Sequence, residues 1–308
     1  SSPRVHKEEA SVVSMVPRLA LVMACLCLVH PAAHGAVDLY DHTPPNPRDA
    51  TALRQVRAAL VNTQGTLDGW EGDSPCFAPW VGVRCERGND VTHLELPGRN
   101  FAGVLAAAVG DIVELIVLDL SQNFITGGLP GSLQTLTNLK TLNMANNALT
   151  KPLPQSIASA PSLSRFSVAS NKIEGPIPVG DWPSLKNLDI SNNRLTGPIP
   201  NRWPVDVRTL ILHTNCLSGN IPGDLSKYAS LRTLKLQSNT LDGTIPQLWG
   251  KEFEELLVLD VSRNLLFGEI PSALAQAPKL KQLIVHNNQL TGETPAGILN
   301  KNLTLTFV

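Results

Sequence analysis

Leu118-Asp119-Leu120-Ser121-Gln122-Asn123-Phe124-Ile125-Thr126-Gly127 is the stretch that decides how this chain folds. Two leucines one residue apart read as a short strand with both side chains on one face. An asparagine follows where the chain leaves the strand, and a glycine comes four residues later. The pattern returns around Asn147, Asn171, Asn193, Asn215, Asn239, Asn264 and Asn288, at intervals of 24, 24, 22, 22, 24, 25 and 24 residues. One period earlier, Leu94 and Leu96 keep the spacing, but Arg99 stands in the asparagine position. Nine repeats thus cover residues 91–295, and a partial tenth covers 296–308.

A period of this length identifies a stacked array, in which each unit buries its apolar face against its neighbours. Each inward leucine contributes roughly 1.5–3 kcal/mol of transfer free energy. The eight asparagines from Asn123 to Asn288 form a structural ladder, because a buried amide can both donate to and accept from the backbone around it. Composition agrees. The 308 residues include 46 leucines and 22 asparagines, only 5% aromatics and 17% charged residues, against about 25% charged in an average domain. A net charge of −1 gives no support to nucleic-acid binding.

A second signature, L-x-G-x-[IL]-P, follows the asparagine at Ile173–Pro178, Leu195–Pro200, Leu217–Pro222, Leu241–Pro246 and Leu266–Pro271. Together the two signatures resemble the plant-type leucine-rich-repeat family, LxxLxxLxLxxNxLxGxIP. The resemblance implies an α/β fold: a right-handed solenoid, horseshoe or superhelical, with a concave parallel sheet. It also implies a second short β-element per repeat and 3₁₀ turns on the convex side. Lys151 replaces the glycine in repeat three and Thr294 the isoleucine in repeat nine, without a shift of register.

Before the array, residues 49–90 read as an N-terminal cap. Asp49 to Val61 places Ala52, Leu53, Val56, Ala59 and Leu60 at helical spacing, with Asp49 or Thr51 as N-cap. Trp70 and the segment Pro75-Cys76-Phe-Ala-Pro-Trp80-Val-Gly-Val-Arg-Cys85 follow. They resemble the cap of plant extracellular leucine-rich-repeat proteins, with Trp80 one residue further from Cys76 than usual. Of five cysteines, Cys25 and Cys27 fall in a leader, so Cys76 and Cys85 are a natural disulfide pair in an oxidising compartment. A metal site would want more ligands than these two cysteines supply. Cys216 is left over, filling a variable position beside Asn215.

Residues 15–35 have the layout of a secretory signal peptide: Arg18, an apolar run of eleven from Leu19 to Val29, then small residues. Eleven helical residues fall well short of the ~30 Å bilayer core. Residues 1–14 remain an unassigned upstream segment and 36–48 a linker. Leu303, Leu305 and Phe307 would leave a repeat face uncovered, so the natural chain is expected to continue beyond Val308. Asn302-Leu303-Thr304 is a glycosylation sequon.

No catalytic motif is present, and neither cofactor nor metal is expected. The site candidates are the residues facing out of the concave sheet, where solenoids typically bind. The residue between the strand leucines is acidic in the first two repeats, Glu95 and Asp119. Basic and imidazole groups gather later, at His213, Lys235, Arg263 and His286, with Gln237, Asp189 and Asp260 among them. This face in repeats six to nine is expected to take an acidic or carboxylate-bearing ligand, such as a peptide C-terminus or a uronic-acid glycan.

The resemblance implies a secreted or outer-face binding module, not an enzyme, like the ligand-recognition or co-receptor ectodomain of receptor-like kinases and receptor-like proteins. Partners would be a protein or peptide, a co-receptor or a cell-wall glycan, with a membrane involved only through a missing C-terminal region. The alternatives are a polygalacturonase-inhibitor-like protein and a structural cell-wall protein.

Overall fold

A computed structural model describes residues 46–62, 64–77, 80–86, 89–299 and 304–306. The expected leader, the upstream segment, nearly all of the linker and Asn302 lie outside these residues.

Eleven strands form one sheet in chain order, from Val83–Glu86 and Asp90–Glu95 to Gln282–Ile284 and Thr304–Thr306. Each repeat supplies one three-residue strand from repeat two onward. All pairs are parallel except the first, where the cap strand Val83–Glu86 runs antiparallel to Asp90–Glu95. The register aligns the first strand leucine of each repeat: Leu94, Leu118 and Leu142 are followed by Phe166, Leu188, Leu210, Leu234, Leu259 and Leu283. All nine are buried, while most residues on either side of them face out, which is the two-residue period of a strand. One continuous core runs behind the sheet.

Five 3₁₀ turns close the coils on the far side of that core: Ala107–Asp111, Gly131–Thr135, Gln155–Ser159, Gly223–Lys227 and Ser272–Gln276. Repeat seven, with the 25-residue interval, has none, and neither do repeats four and five, the two 22-residue ones. Trp182 and Trp203 are buried there instead, with ring centroids 6.4 Å apart. Phe166, the one aromatic among the strand leucines, stacks on Trp182 at 6.0 Å.

The second β-element is less regular than the resemblance implies. Glu174–Pro176, Arg194–Gly197, Cys216–Asn220 and Thr240–Asp242 make a four-stranded sheet, and Phe267–Glu269 pairs with Gln289–Thr291. Repeat two makes only an isolated bridge, Val104 with Thr126, and repeat three contributes no strand. The glycine of the signature adopts φ near +80° in its neighbours, Gly127 and Gly175. Lys151 stays out of that region, where an L side chain would be strained.

The cap helix α1 spans Pro47–Ala59, and its N-cap is Asn46, whose side chain accepts from Arg48 N–H. The expected caps, Asp49 and Thr51, therefore lie inside the helix. Pro47 explains the earlier start, because proline suits the first helical position, where its missing donor costs nothing. Leu60–Val61 pairs antiparallel with Ala102–Gly103. Gly103 has φ 90°, and a Cβ there would collide with the Ala59 carbonyl. Cys76 and Cys85 form the disulfide, with Cα atoms 5.7 Å apart. Trp80 is buried and stacks on Trp70 at 5.5 Å, so the extra residue before it is absorbed without loss of packing.

Candidate functional site

The ladder fixes the coils against each other, and the sheet face rides on it. Asn123 Oδ1 accepts from Arg99 N–H at 2.9 Å and Phe101 N–H at 3.0 Å. Its Nδ2 donates to Leu96 O and Leu120 O at 2.9 Å and to Ser121 O at 3.0 Å. The same exchange recurs at Asn147, Asn171, Asn193, Asn215, Asn239, Asn264 and Asn288, always toward the preceding coil. Arg99 fits this polarity. The first coil has no repeat before it, so an asparagine there would have no coil to reach. The cap meets it instead, through Glu95 N–H to Gly82 O at 2.7 Å.

One feature at the turn carried no sequence signal. The residue before each ladder position is left-handed, with φ between 52° and 64°, from Gly98 through Gln122, Ser170, Thr214 and Arg263 to Asn287. Its N–H still bonds across to the next coil, as Thr214 N–H does to Gln237 O at 2.9 Å. The side chains share no chemistry, so the backbone bonds impose the conformation. Only the glycine and the asparagines among them suit it intrinsically.

The outward residues fall into parallel columns. The central column of the later repeats runs Asp189, Ile211, Lys235, Asp260, Ile284, one residue per strand. A second column, just past the strands, holds His213, Gln237 and His286. Arg263 belongs to neither: it sits on the left-handed turn, exposed. The structure therefore does not gather the four later basic and imidazole residues into one cluster.

Two further expectations change. Asp260 is 7% exposed, its carboxylate taken by Ser262 N–H at 3.0 Å and Ser262 Oγ–H at 2.7 Å. Asp189 is held likewise by Ser191, at 3.1 and 2.6 Å, but stays half-exposed. These acids close the strand-end turn before they offer anything to a ligand. His213 is a weaker cation than its residue type suggests. Burial holds its imidazole below the ordinary value and Lys235 adds to that, against the pull of Asp189 and Asp260. Two buried polar atoms in the second column, Gln237 Oε1 and His286 Nδ1, have no hydrogen-bond partner.

One hollow on the sheet face lies earlier than expected. A depression of about 390 Å³ spans repeats three to six and is lined by Thr141, Asn143, Arg165, Phe166, Ser167, Asn187, Asp189 and Ile211 among others. Arg165, which donates to Thr141 Oγ1 at 3.0 Å, is exposed on its wall with no carboxylate in ion-pair range among the described residues. Of the expected ligand-binding residues, only Asp189 borders it.

Cys216 is free and exposed at the start of its strand in the second sheet. Among the described residues no group of three or more His, Cys, Asp or Glu could hold a metal ion, and no helix is long and apolar enough to cross a membrane.

Sheet, ladder and cap together define a leucine-rich-repeat protein with the plant-type N-terminal cap. Residues 46–86 match the leucine-rich-repeat N-terminal domain family. Residues 113–155 match the two-copy leucine-rich-repeat family, and 184–204 the single leucine-rich repeat. The chain is similar to the ectodomains of plant receptor kinases. Phytosulfokine receptor 2 of Arabidopsis thaliana is 43% identical over 84 residues, 26% of this chain and 8% of the receptor. The ectodomain of GASSHO1/SCHENGEN3 from Arabidopsis thaliana was solved in complex with Casparian strip integrity factor 2. It superposes with a TM-score of 0.76 at 33% identity, over 82% of this chain and 31% of that one. A plant ice-binding protein superposes with a TM-score of 0.70 at 25% identity, over 85% of both chains. The chain thus spans less than a third of the length of either of these two receptor chains.

Proposed function

We propose that this chain is an extracellular ligand-recognition module, the ectodomain of a receptor-like protein, and that a peptide or a partner protein lies across the sheet face. The observation that carries this reading is the depression over repeats three to six, where four adjacent coils bring variable side chains to one hollow. Recognition extends from Arg165 and Asp189 toward Lys235. Arg263 borders the face at the turn, and His213, Gln237 and His286 complete its polar edge. The coils themselves are fixed by leucine and asparagine, so specificity resides in these outward residues. The likeness to a receptor ectodomain solved with a bound factor supports the same reading.

The test is binding of peptides selected on the wild-type protein to Arg165→Glu, Lys235→Ala and Arg263→Glu variants. Weakened binding in Arg165→Glu and in at least one of the others is the expected result. Unchanged binding in all three contradicts the reading.

Ice binding is a second reading, favoured by the match to a plant ice-binding protein over 85% of both chains. The outward residues of the second sheet argue against it. Thr196 and Ser218 are interrupted by Glu174, Arg194 and Asp242, so no regular row of hydroxyls is displayed. Thermal hysteresis of the purified protein would decide for it.

A further inference from the structure

A row of basic side chains runs along the rim where each coil enters the long sheet. The position two residues before the inward strand leucine is Lys140 in repeat three, Ser164 in four, Lys186 in five, Arg208 in six and Arg232 in seven. These residues are joined edge to edge. Ser164 N–H donates to Lys140 O at 3.0 Å, Lys186 N–H to Ser164 O at 2.9 Å, Arg208 N–H to Lys186 O at 2.8 Å and Arg232 N–H to Arg208 O at 2.8 Å. Successive members are therefore one strand spacing apart, about 4.8 Å.

The two ends of the row differ in charge balance. Arg232 shares Glu255 with Lys279, so its charge is answered within the protein. Lys140, Lys186 and Arg208 have no ion-pair partner among the described residues, whereas nine other such pairs exist there. A hollow of about 420 Å³ opens between Lys140 and Lys186, with Ser162, Ser164 and Ser184 on its walls and Asp206 as its one acid. It is hydroxyl-lined and flanked by ammonium groups.

We propose that this rim is a docking face for a linear anionic polysaccharide, whose carboxylate or sulfate groups lie along Lys140, Lys186 and Arg208 while its hydroxyls meet the serines. The backbone groups of this row are used by the coil-to-coil bonds, so a peptide finds no strand edge to pair with. Pro183 is the one apolar residue of the hollow, whose other lining residues are serines, lysines and Asp206. A flexible chain of anions and hydroxyls suits both conditions, since the cations stand at whole multiples of the strand spacing, two between Lys140 and Lys186 and one between Lys186 and Arg208. The rim shares no residue with the sheet-face reading, so either can fail without the other.

The experiment measures binding of the whole chain to an oligogalacturonate, to dextran sulfate, to neutral dextran and to poly-L-glutamate. Both ionic strengths used, about 50 mM and 200 mM, bracket the range in which exposed charges become screened. The expected result is binding to at least one anionic glycan, weaker at the higher salt, and none to neutral dextran. The triple variant Lys140→Gln, Lys186→Gln, Arg208→Gln should bind about tenfold more weakly, near the product of three exposed pairs worth about twofold each. Lys251→Gln, an exposed change elsewhere, should leave binding as it was. Preference for the uronate or for the sulfate identifies the source of the anion. If the triple variant unfolds, the single changes Lys140→Gln and Arg208→Gln, both on exposed side chains, should each show about a twofold loss. Absence of binding to both anionic glycans at low salt overturns the proposal. So does undiminished affinity in the variants, or tighter binding to poly-L-glutamate than to either glycan.

Discussion

Asn239 reaches back across a coil boundary to the carbonyl of Leu212, 3.2 Å away, while its own coil supplies Leu236 O at 2.9 Å and the N–H of Leu217 meets its Oδ1 at 3.0 Å. One side chain thus satisfies backbone groups of two coils in a site where water does not compete. Asn239→Ala would leave those groups unpaired, at a cost of about 1–3 kcal/mol. Asn239→Asp should be worse, since a carboxylate would face three carbonyls. Denaturant midpoints of the three proteins check this, and an alanine variant as stable as wild type would remove the ladder from the account of stability.

Asp49 gives a pH dependence to cap docking. Its carboxylate is 1% exposed and receives the Val91 N–H at 2.8 Å, while its other oxygen has no partner. Burial pushes its pKa up to about 6, more than the Val91 bond and Arg48 pull it down, and Asp90 and Glu114 add to the rise. The folded state therefore holds the proton more tightly than the unfolded state, whose value is 3.8. Stability from this group is lowest above pH 6 and grows as pH falls from there toward 4. Across that window the gain is on the order of 2–3 kcal/mol. Asp49→Asn keeps an acceptor for Val91 and should flatten this slope while stabilising the cap at pH 7.5. Melting curves from pH 4 to 8 measure it, and an equal slope in the variant would contradict the assignment.

Thr214 occupies a left-handed conformation with φ 54°. A β-branched residue is strained there, by roughly 1–2 kcal/mol. Thr214→Asn should raise stability by about 0.5–1 kcal/mol, since asparagine tolerates this region and stands at the matching place in three other repeats, as Asn146, Asn192 and Asn287. The Thr214 Oγ1 contact with His213 Nδ1 at 3.0 Å is the part of the gain that could be lost. A thermal midpoint at or below wild type would show that the turn carries no strain.

What the sequence made legible was whatever repeats with side-chain identity. Leu118 and Asn123 recur with their chemistry, so strand, ladder and register follow from spacing alone. The 3₁₀ turn cannot be read from the intervals, since repeat seven lacks it at 25 residues as repeats four and five do at 22. The left-handed turn escaped because Gln122, Ser170, Thr214 and Arg263 share a conformation and no chemistry. Asp260 looked like an outward acid, and only the structure shows Ser262 closing over it. Asp49 has the residue type of a helix cap, but Asn46 and Pro47 start the helix one turn earlier. The rim row of Lys140, Lys186 and Arg208 lies outside the leucine-x-leucine core and becomes a row only when the coils are stacked.

The measurement that tests the central claim most directly is site-specific photo-crosslinking. A photoreactive residue at Ser167, inside the depression on the sheet face, is compared with one at Thr196, outward on the second sheet, using peptides selected on the wild-type protein. Crosslinks from Ser167 and none from Thr196 are the predicted result. Crosslinks from Thr196 alone, or from neither position while binding persists, would contradict the assignment of the sheet face as the recognition surface.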